Sequence, residues 1–307
     1  MQVNMMNEEQ KLLLILNPRA GKCKGEKMLA EILGIFQQNG FLSTVMITGK
    51  SGDATDFTIR HGNDHDLIVC IGGDGTLSEV IAGIVKGGIC RPIGYIPAGS
   101  ANDYASSLGL SADLLTAASD IATGKTVSLD VGLYNSKPFA YVAAFGAFAR
   151  ISYSTSQDMK NICGHLAYVL EGIRNLHTLH PEHMIIDIDG ESIEGDFILG
   201  LISNTLSVGK LLRFDPNQVL MDDGFLEVTL VSMPDSPKGL SDIVQAVTAQ
   251  SYSDCNNIIF RTGKKISIHA KEPTYWSLDG EYARSFEYTD IISVPKAIRI
   301  IIPGKDE

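Results

Sequence analysis

The segment Asp66-Leu-Ile-Val-Cys-Ile-Gly-Gly-Asp-Gly-Thr-Leu-Ser-Glu79 runs an apolar strand into a glycine-rich turn and then into a helix. Leu67 to Ile71 have the composition of a buried strand, and Leu77, Val80, Ile81 and Ile84 fall on one face of the helix that follows. Between them, Gly72, Gly73 and Gly75 lack Cβ atoms, so backbone N–H groups can approach an anion closely. The N-terminal end of the helix adds unpaired N–H donors and a partial positive charge. This is chemistry for holding a phosphate. Asp74 stands out there, because a carboxylate repels phosphate unless a cation lies between them. It is therefore expected to face Mg²⁺, the water shell of that ion or a substrate hydroxyl. The same residues would also serve as a plain tight connection. The segment is not a Walker P-loop, since Gly21-Lys22 is followed by Cys23 and Leu16 stands where that motif needs its first glycine. A Gly-x-Gly-x-x-Gly dinucleotide fingerprint is also missing at the first strand.

Two further segments belong at the same edge. Asn17-Pro18-Arg19-Ala20-Gly21 follows the first apolar run, and Pro97-Ala-Gly-Ser100-Ala-Asn-Asp103 follows the fourth. In a parallel sheet both fall at the carboxyl ends of the strands, where open α/β sheets bind ligands. Each alone is an ordinary turn; three at one edge point to a nucleotide. His177, His180 and His183 have a spacing that invites a zinc reading, but Pro181 interrupts any helix between them and a solvated loop is the preferred reading. On spacing alone, Asp222-Asp-Gly224 and Asp279-Gly-Glu281 read as hairpin turns.

The elements that must position these residues alternate in the first third of the chain. Strands are expected at Leu12–Leu16, Phe41–Thr48, Leu67–Ile71 and Ile93–Ile96. Helices fall between them, along Met28 to Phe36 with Gly40 at its C-cap and at Asp53–Arg60, and a further one passes through Leu114, Leu115, Ala118 and Ile121 to end at Gly124. Alternation of this kind implies a parallel sheet with helices on its faces. After about Thr126 the texture changes to short strands: Val127–Leu133, Phe139–Phe145, Met184–Ile188, Phe197–Ser203, Leu226–Val231, Ile266–Ala270 and Ile298–Ile302. Helical patterns through Met159, Ile162, Leu166, Val169 and Ile173 and through Leu240, Ile243, Val244 and Val247 interrupt them. The expected fold class is α/β, with an N-terminal parallel-sheet domain over residues 1–126. A C-terminal antiparallel β-sandwich follows over 127–307, its last residues returning to the first domain.

Composition bounds the function. At 307 residues, with 44% hydrophobic and 20% charged residues, the chain has room for two cores and no sign of wholesale disorder. No apolar run approaches the ~18 residues of a membrane span. Met1 to Gln10 carries Glu8 and Glu9 and no basic stretch ahead of an apolar core, so a secretory signal is not expected. A formal net charge of −11 argues against nucleic acid as a partner and requires any membrane docking to use a local patch. Five scattered cysteines without a Cys-x-x-Cys pair read as reduced thiols of a cytoplasmic protein.

Taken together, Asn17-Pro-x-x-Gly21, Gly72-Gly-Asp-Gly-Thr76, Gly99-Ser-x-Asn-Asp103 and Asp279-Gly-Glu281 resemble, in order, the motifs of the bacterial soluble diacylglycerol kinase family of lipid kinases. The resemblance spans nearly the whole chain and includes Asp130 and Asp222-Asp-Gly224. It implies an ATP-binding domain of the NAD kinase and phosphofructokinase type and a β-sandwich lipid-substrate domain. Nucleotide contacts would come from Asn17, Pro18, Arg19, Ala20, Gly21, Thr48, Gly72, Gly73, Asp74, Gly75, Thr76, Leu77, Ser78 and Ser100. Glu281 matches the family's catalytic base. A structural Mg²⁺ would map onto Asp223 with the carbonyls of Leu220 and Phe225, and Asp74, Asp103 and Asp130 match the acidic network that joins this ion to the active site. Ser100 departs from the family's usual Thr but keeps the hydroxyl. After Asn204 the chain has Val208-Gly209-Lys210 where the family commonly shows paired glycines, which bears on the identity of the lipid.

The activity implied is transfer of the γ-phosphoryl group of ATP to the hydroxyl of a lipid alcohol, diacylglycerol giving phosphatidic acid, with Mg²⁺ as cofactor. The partners implied are a lipid met by peripheral contact at the inner membrane surface and, as an option, a second copy in a homodimer. The alternatives are an NAD kinase, which shares Gly-Gly-Asp-Gly, and a non-catalytic nucleotide- or lipid-binding regulator. Asn17-Pro-x-x-Gly21 with Asp279-Gly-Glu281 favours the lipid kinase over the first, and Asp74, Asp103 and Glu281 together favour it over the second.

Overall fold

The computed structural model of the chain describes residues 9–146, 181–208, 212–215, 219–252 and 255–304. The chain forms two compact units, Met1–Leu129 with Ile298–Glu307 and Asp130–Ala297.

In the first unit, strands β1 (Gln10–Leu16), β2 (Phe41–Ile47), β3 (Leu67–Gly72) and β4 (Pro92–Pro97) lie side by side in the order β2-β1-β3-β4, every pair parallel. The end of the chain's last strand adds to this sheet, with Arg299 beside Pro92 and Ile300 beside Ile93. β1 and β3 are covered on both faces, so their residues form unbroken apolar runs rather than an alternation. The connecting helices are α1 (Lys24–Lys27), α2 (Leu29–Gln38), α3 (Asp53–His61), α4 (Asp74–Gly87), α5 (Asp103–Ser107) and α6 (Leu114–Thr123). Their buried faces follow the helical period: Ile32 and Phe36 on α2, Val80, Ile81 and Ile84 on α4, and Leu114, Ala118 and Ile121 on α6. Phe36, Leu114, Ala118 and Ile121 pack with Leu12, Leu14, Leu16, Val69 and Ile96 into one core. Asp113 caps α6 by accepting the Thr116 N–H at 2.9 Å.

The second unit is built from antiparallel strands. They are β5 (Lys125–Tyr134, entering from the first unit), β6 (Lys137–Phe139), β7 (Val142–Gly146), β8 (Glu182–Ile188), β9 (Glu191–Ser203), β10 (Ser207–Val208), β11 (Leu212–Arg213) and β12 (Leu226–Ser232). Helix α7 (Pro237–Ala249) follows, then β13 (Ile258–Gly263), β14 (Lys265–Ala270), β15 (Trp276–Leu278), β16 (Glu281–Ala283) and β17 (Tyr288–Ile302). The long strand β9 pairs with β8 through its first half and with β7 and β12 through its second, which ties the strands around one core. Phe145, Phe197, Trp276, Ile186, Val228 and Ile268 fill that core.

Two features differ from the sequence expectation. The strand expected over Phe139–Phe145 is broken at Ala140 and Tyr141, whose N–H groups turn to the Asp279 carboxylate instead of a neighbouring strand. Strands β13, β15 and β16 were not anticipated, being short or polar. The helix expected through Met159 to Ile173 lies outside the described residues.

Candidate active site

Within the first unit, the loops after β1, β3 and β4 meet at the carboxyl ends of the strands. Gly21 has φ +50, and a Cβ there would lie 1.8 Å from the Ala98 carbonyl oxygen, so the β1 loop rests directly on the β4 loop. A Cβ on Gly99 would lie 2.5 Å from the Gly73 Cα, so the β4 loop in turn presses on the β3 loop. Asn17 closes the triangle by donating from Nδ2 to Thr76 Oγ1 at 3.0 Å, while its Oδ1 accepts the Arg19 N–H at 3.0 Å. Gly73 is the N-cap of α4 and supplies no side-chain cap, which leaves the start of that helix suited to an outside anion. Thr48 sits just past β2, its N–H bonded to the Leu16 carbonyl at 2.9 Å. Ser100 is exposed on the β4 loop.

The acidic residues of this unit have local tasks. Asp74 accepts from the N–H of Asp103 at 3.1 Å and of Tyr104 at 3.3 Å, so its carboxylate joins the α4 start to the α5 start. The structure thus brings Asp74 and Asp103 together, and gives Asp74 a backbone role that its expected orientation toward a cation did not include. Leu77 has a fully buried side chain, and its N–H bonds to the Gly73 carbonyl at 3.1 Å. The sequence reading also missed two organisers. Glu79 accepts from Gly52 N at 2.8 Å, Ala54 N at 3.1 Å and Ser51 Oγ at 3.1 Å, fixing the loop beyond Thr48. Asn102, at φ 54, grips both the N–H and the carbonyl of Gly99 at 3.0 and 3.1 Å. An acid one helical turn into α4 and an Asn in a Gly-rich loop were the signals available.

In the second unit, Asp279 and Gly280 have φ 50 and 86, the two positive values of a type I′ turn, and they join β15 to β16. The turn reading and the motif reading therefore hold for the same residues. Asp279 is buried and accepts from the N–H groups of Ala140, Tyr141 and Val142 at 2.7, 3.0 and 3.1 Å. That anchor holds the hairpin, and Glu281 is exposed as the first residue of β16. Trp276, against Tyr134 and Phe145 at ring separations of 5.0 and 5.1 Å, packs the hairpin from below.

Asp130 lies on β5. It is fully buried, and both its oxygens accept backbone N–H groups at 2.6 Å, from Gly224 and Lys296. Its own N–H donates to the Met221 carbonyl at 2.9 Å. Asp130 thus holds the 220–225 loop. Asp223 is exposed on that loop, one oxygen accepting the Phe225 N–H at 3.0 Å, and Leu220 is 51% exposed. Glu227 on β12, which the sequence reading passed over, is buried; desolvation pushes its carboxyl up to about 8, with the charges of Asp223 and Asp130 adding to the rise. The donor chemistry fits Mg²⁺: one exposed carboxylate and backbone carbonyls suit a hard cation that keeps part of its water shell, and the Glu227 Oε2 and Asn204 Oδ1 atoms nearby in the fold are buried without partners. Among the described residues no three His, Cys, Asp or Glu side chains converge on a metal position. His183 pairs with Asp196 and Glu194 at 2.8 and 3.4 Å, whereas His177, His180, Gly209 and Lys210 lie outside the described residues. The described cysteines, Cys23, Cys70, Cys90 and Cys255, are free thiols.

A parallel sheet with converging phosphate-type loops, joined in one chain to an antiparallel unit that presents carboxylates, defines a nucleotide-dependent phosphotransferase of the two-domain kind. Comparison with known proteins narrows this. Residues 11–134 match the diacylglycerol kinase catalytic domain and residues 142–302 match the YegS C-terminal NAD kinase beta sandwich-like domain. A protein of Bacillus subtilis (strain 168) named diacylglycerol kinase is 29% identical over 292 residues, covering 94% of this chain and 95% of that one. Its namesake in Staphylococcus carnosus is 32% identical over 270 residues, 88% of each chain. A crystal structure from Bacillus anthracis str. Sterne, provisionally named a diacylglycerol kinase, superposes with a TM-score of 0.84 at 26% identity over 98% of both chains. The chain belongs to the diacylglycerol kinase family, and it is an ATP-dependent lipid kinase.

Proposed function

We propose that the protein phosphorylates diacylglycerol, passing the γ-phosphoryl group of ATP to the free hydroxyl to give phosphatidic acid. The observation that supports this most is the meeting of the Gly21, Gly73 and Gly99 loops beside an uncapped helix start, in a chain whose relatives carry the diacylglycerol kinase name. Backbone N–H groups of Gly73, Asp74 and Gly75 hold the phosphates, Asn17 and Thr76 fix the loop around them, and Thr48 and Ser100 reach the remainder of the nucleotide. Phosphoryl transfer proceeds through a loose transition state, so positioning and charge stabilisation are the main demands on the protein. Glu281 orients the acceptor hydroxyl and takes its proton late in the transfer. Asp223, with the carbonyls of Leu220 and Phe225, holds Mg²⁺, which supplies a fixed positive charge among the carboxylates of the second unit. The enzyme meets its lipid as a peripheral protein; no helix among the described residues is long and apolar enough to cross a membrane. A homodimer is the assembly proposed with it.

The test is transfer of label from γ-labelled ATP in mixed micelles containing diacylglycerol, phosphatidylglycerol or a sphingoid base, with NAD in a separate arm. Labelled phosphatidic acid is expected. Label appearing in NAD alone overturns the lipid reading, and label in another lipid alone overturns the substrate.

A further inference from the structure

At the carboxyl edge of the first unit's sheet, Ile47 of β2 stands beside Leu16 of β1, and Leu16 beside Ile71 of β3. The loop that begins at Thr48 therefore leaves the sheet level with the Gly72 turn, two strand spacings or about 10 Å to one side of it. Its hydrogen bonding is unlike that of the turn. The start of α4 has no side-chain cap, and Gly52, the N-cap of α3, offers none of its own either, but α3 is capped from another helix. Glu79 of α4, half-buried, accepts from Gly52 N at 2.8 Å and Ser51 Oγ at 3.1 Å with one oxygen, and from Ala54 N at 3.1 Å with the other. Its carbonyl accepts the Thr55 hydroxyl at 2.8 Å. Asp53 takes the N–H groups of Gly49 and Lys50 at 2.7 and 2.9 Å, and the Thr48 N–H goes to the Leu16 carbonyl. The donors of Thr48, Gly49, Lys50, Gly52 and Ala54 are thus all engaged. Among the described residues, the carbonyls of Thr48, Gly49 and Ser51 accept no hydrogen bond. A loop with its donors spent and its acceptors free disfavours phosphate oxygens and suits groups that donate, such as the hydroxyls and exocyclic amine of a nucleoside.

We propose that Glu79 is a positioning residue for ATP. By taking up the donors of the Ser51–Ala54 segment, it makes the β2 loop an acceptor surface for the nucleoside end, while the open donors at the start of α4 take the phosphates. The inference rests on the reading of the Gly73 turn as the phosphate site. Because α4 carries both that start and, little more than one turn further on, Glu79, a single helix sets the two ends of the nucleotide in register.

The experiment is calorimetric titration of the full-length protein with ATP and, separately, with inorganic tripolyphosphate, both with Mg²⁺, for wild type, Glu79→Ala and Glu79→Gln. Wild type is expected to bind both. Glu79→Ala should weaken ATP at least about tenfold and tripolyphosphate by less than about twofold, since only ATP has a nucleoside for the loop to meet. Glu79→Gln keeps one oxygen for Gly52 and Ser51 but sets an amide N–H₂ against the Ala54 N–H, so it should weaken ATP only about three- to fivefold, again with tripolyphosphate spared. In turnover the same change should appear as a raised KM for ATP with little loss of kcat. A merely structural Glu79 would weaken both ligands alike. An equal loss of the two, or unaltered ATP affinity in whichever Glu79 variant folds, overturns the role of Glu79 and leaves the Gly73 turn as the phosphate site. A wild type that takes ATP but not tripolyphosphate overturns the division of the nucleotide between the two loops. A wild type that binds neither overturns the phosphate reading as well.

Discussion

In the first unit the candidate site is a set of backbone donors laid open by glycines at the ends of β1, β3 and β4; in the second it is a set of carboxylates, Asp130, Asp223, Asp279, Glu227 and Glu281, distributed over loops and strands far apart in sequence. One arrangement suits an anion and the other a cation or a proton. They also differ in how they are held. The donor loops are fixed by close backbone packing, Gly21 on Ala98 and Gly73 on Gly99, so their shape depends on the absence of side chains. The carboxylate region is fixed by carboxylates themselves, Asp130 and Asp279 each gathering buried N–H groups from segments more than ninety positions distant. This region thus holds both acids that gather buried N–H groups and acids that stay exposed, although the chain does not mark them differently.

That distinction is open to attack at three positions. The largest effect is expected at Asp279. Replacing it by Ala leaves three buried N–H groups without their acceptor, and at about 1–3 kcal/mol for each unsatisfied buried group the loss should reach about 3 kcal/mol or more. Denaturant unfolding of the variant measures it; a loss below about 1 kcal/mol would mean that the hairpin has other anchors. Glu281 is the contrast, an exposed acid of the same hairpin. Glu281→Gln should lower turnover by at least about 10²-fold, the low end for loss of a general base, with stability and ATP binding close to wild type. Near-normal turnover on the true lipid would remove it as the base. The smallest effect is expected at Gly73, where a Cβ would meet the Gly99 Cα at a tight but tolerable 3.3 Å. Gly73→Val should fold and yet weaken ATP at least about tenfold, or about 1.4 kcal/mol, by holding phosphate away from the backbone. Unaltered affinity by equilibrium binding would take this turn out of the site.

Much of the first unit was legible in the chain because its signals are local. Leu67 to Ile71 is a buried parallel strand, and its apolar run, the glycines and the helical period of Leu77, Val80, Ile81 and Ile84 all lie within a short stretch. Asp74 was legible as an unusual residue but its partners were not, since the N–H groups it caps belong to a helix that starts at Asp103. Leu77, inside the same motif, is buried, as its place in the helical period indicated.

The amino-acid sequence by itself determined the alternation of strands and helices, the glycine turns, the Asp-Gly hairpin and the family motifs, because each depends on neighbours a few residues away. Tertiary structure alone decided that Asp130 is a buried pillar while Asp223 stays exposed, that Asp279 ends a strand at Ala140, and that Glu227 is a buried carboxyl with one oxygen unpartnered. An Asp carries the same charge and the same acceptors wherever it is written; burial and the segments that fold against it decide whether those acceptors are consumed by the backbone or left for an ion.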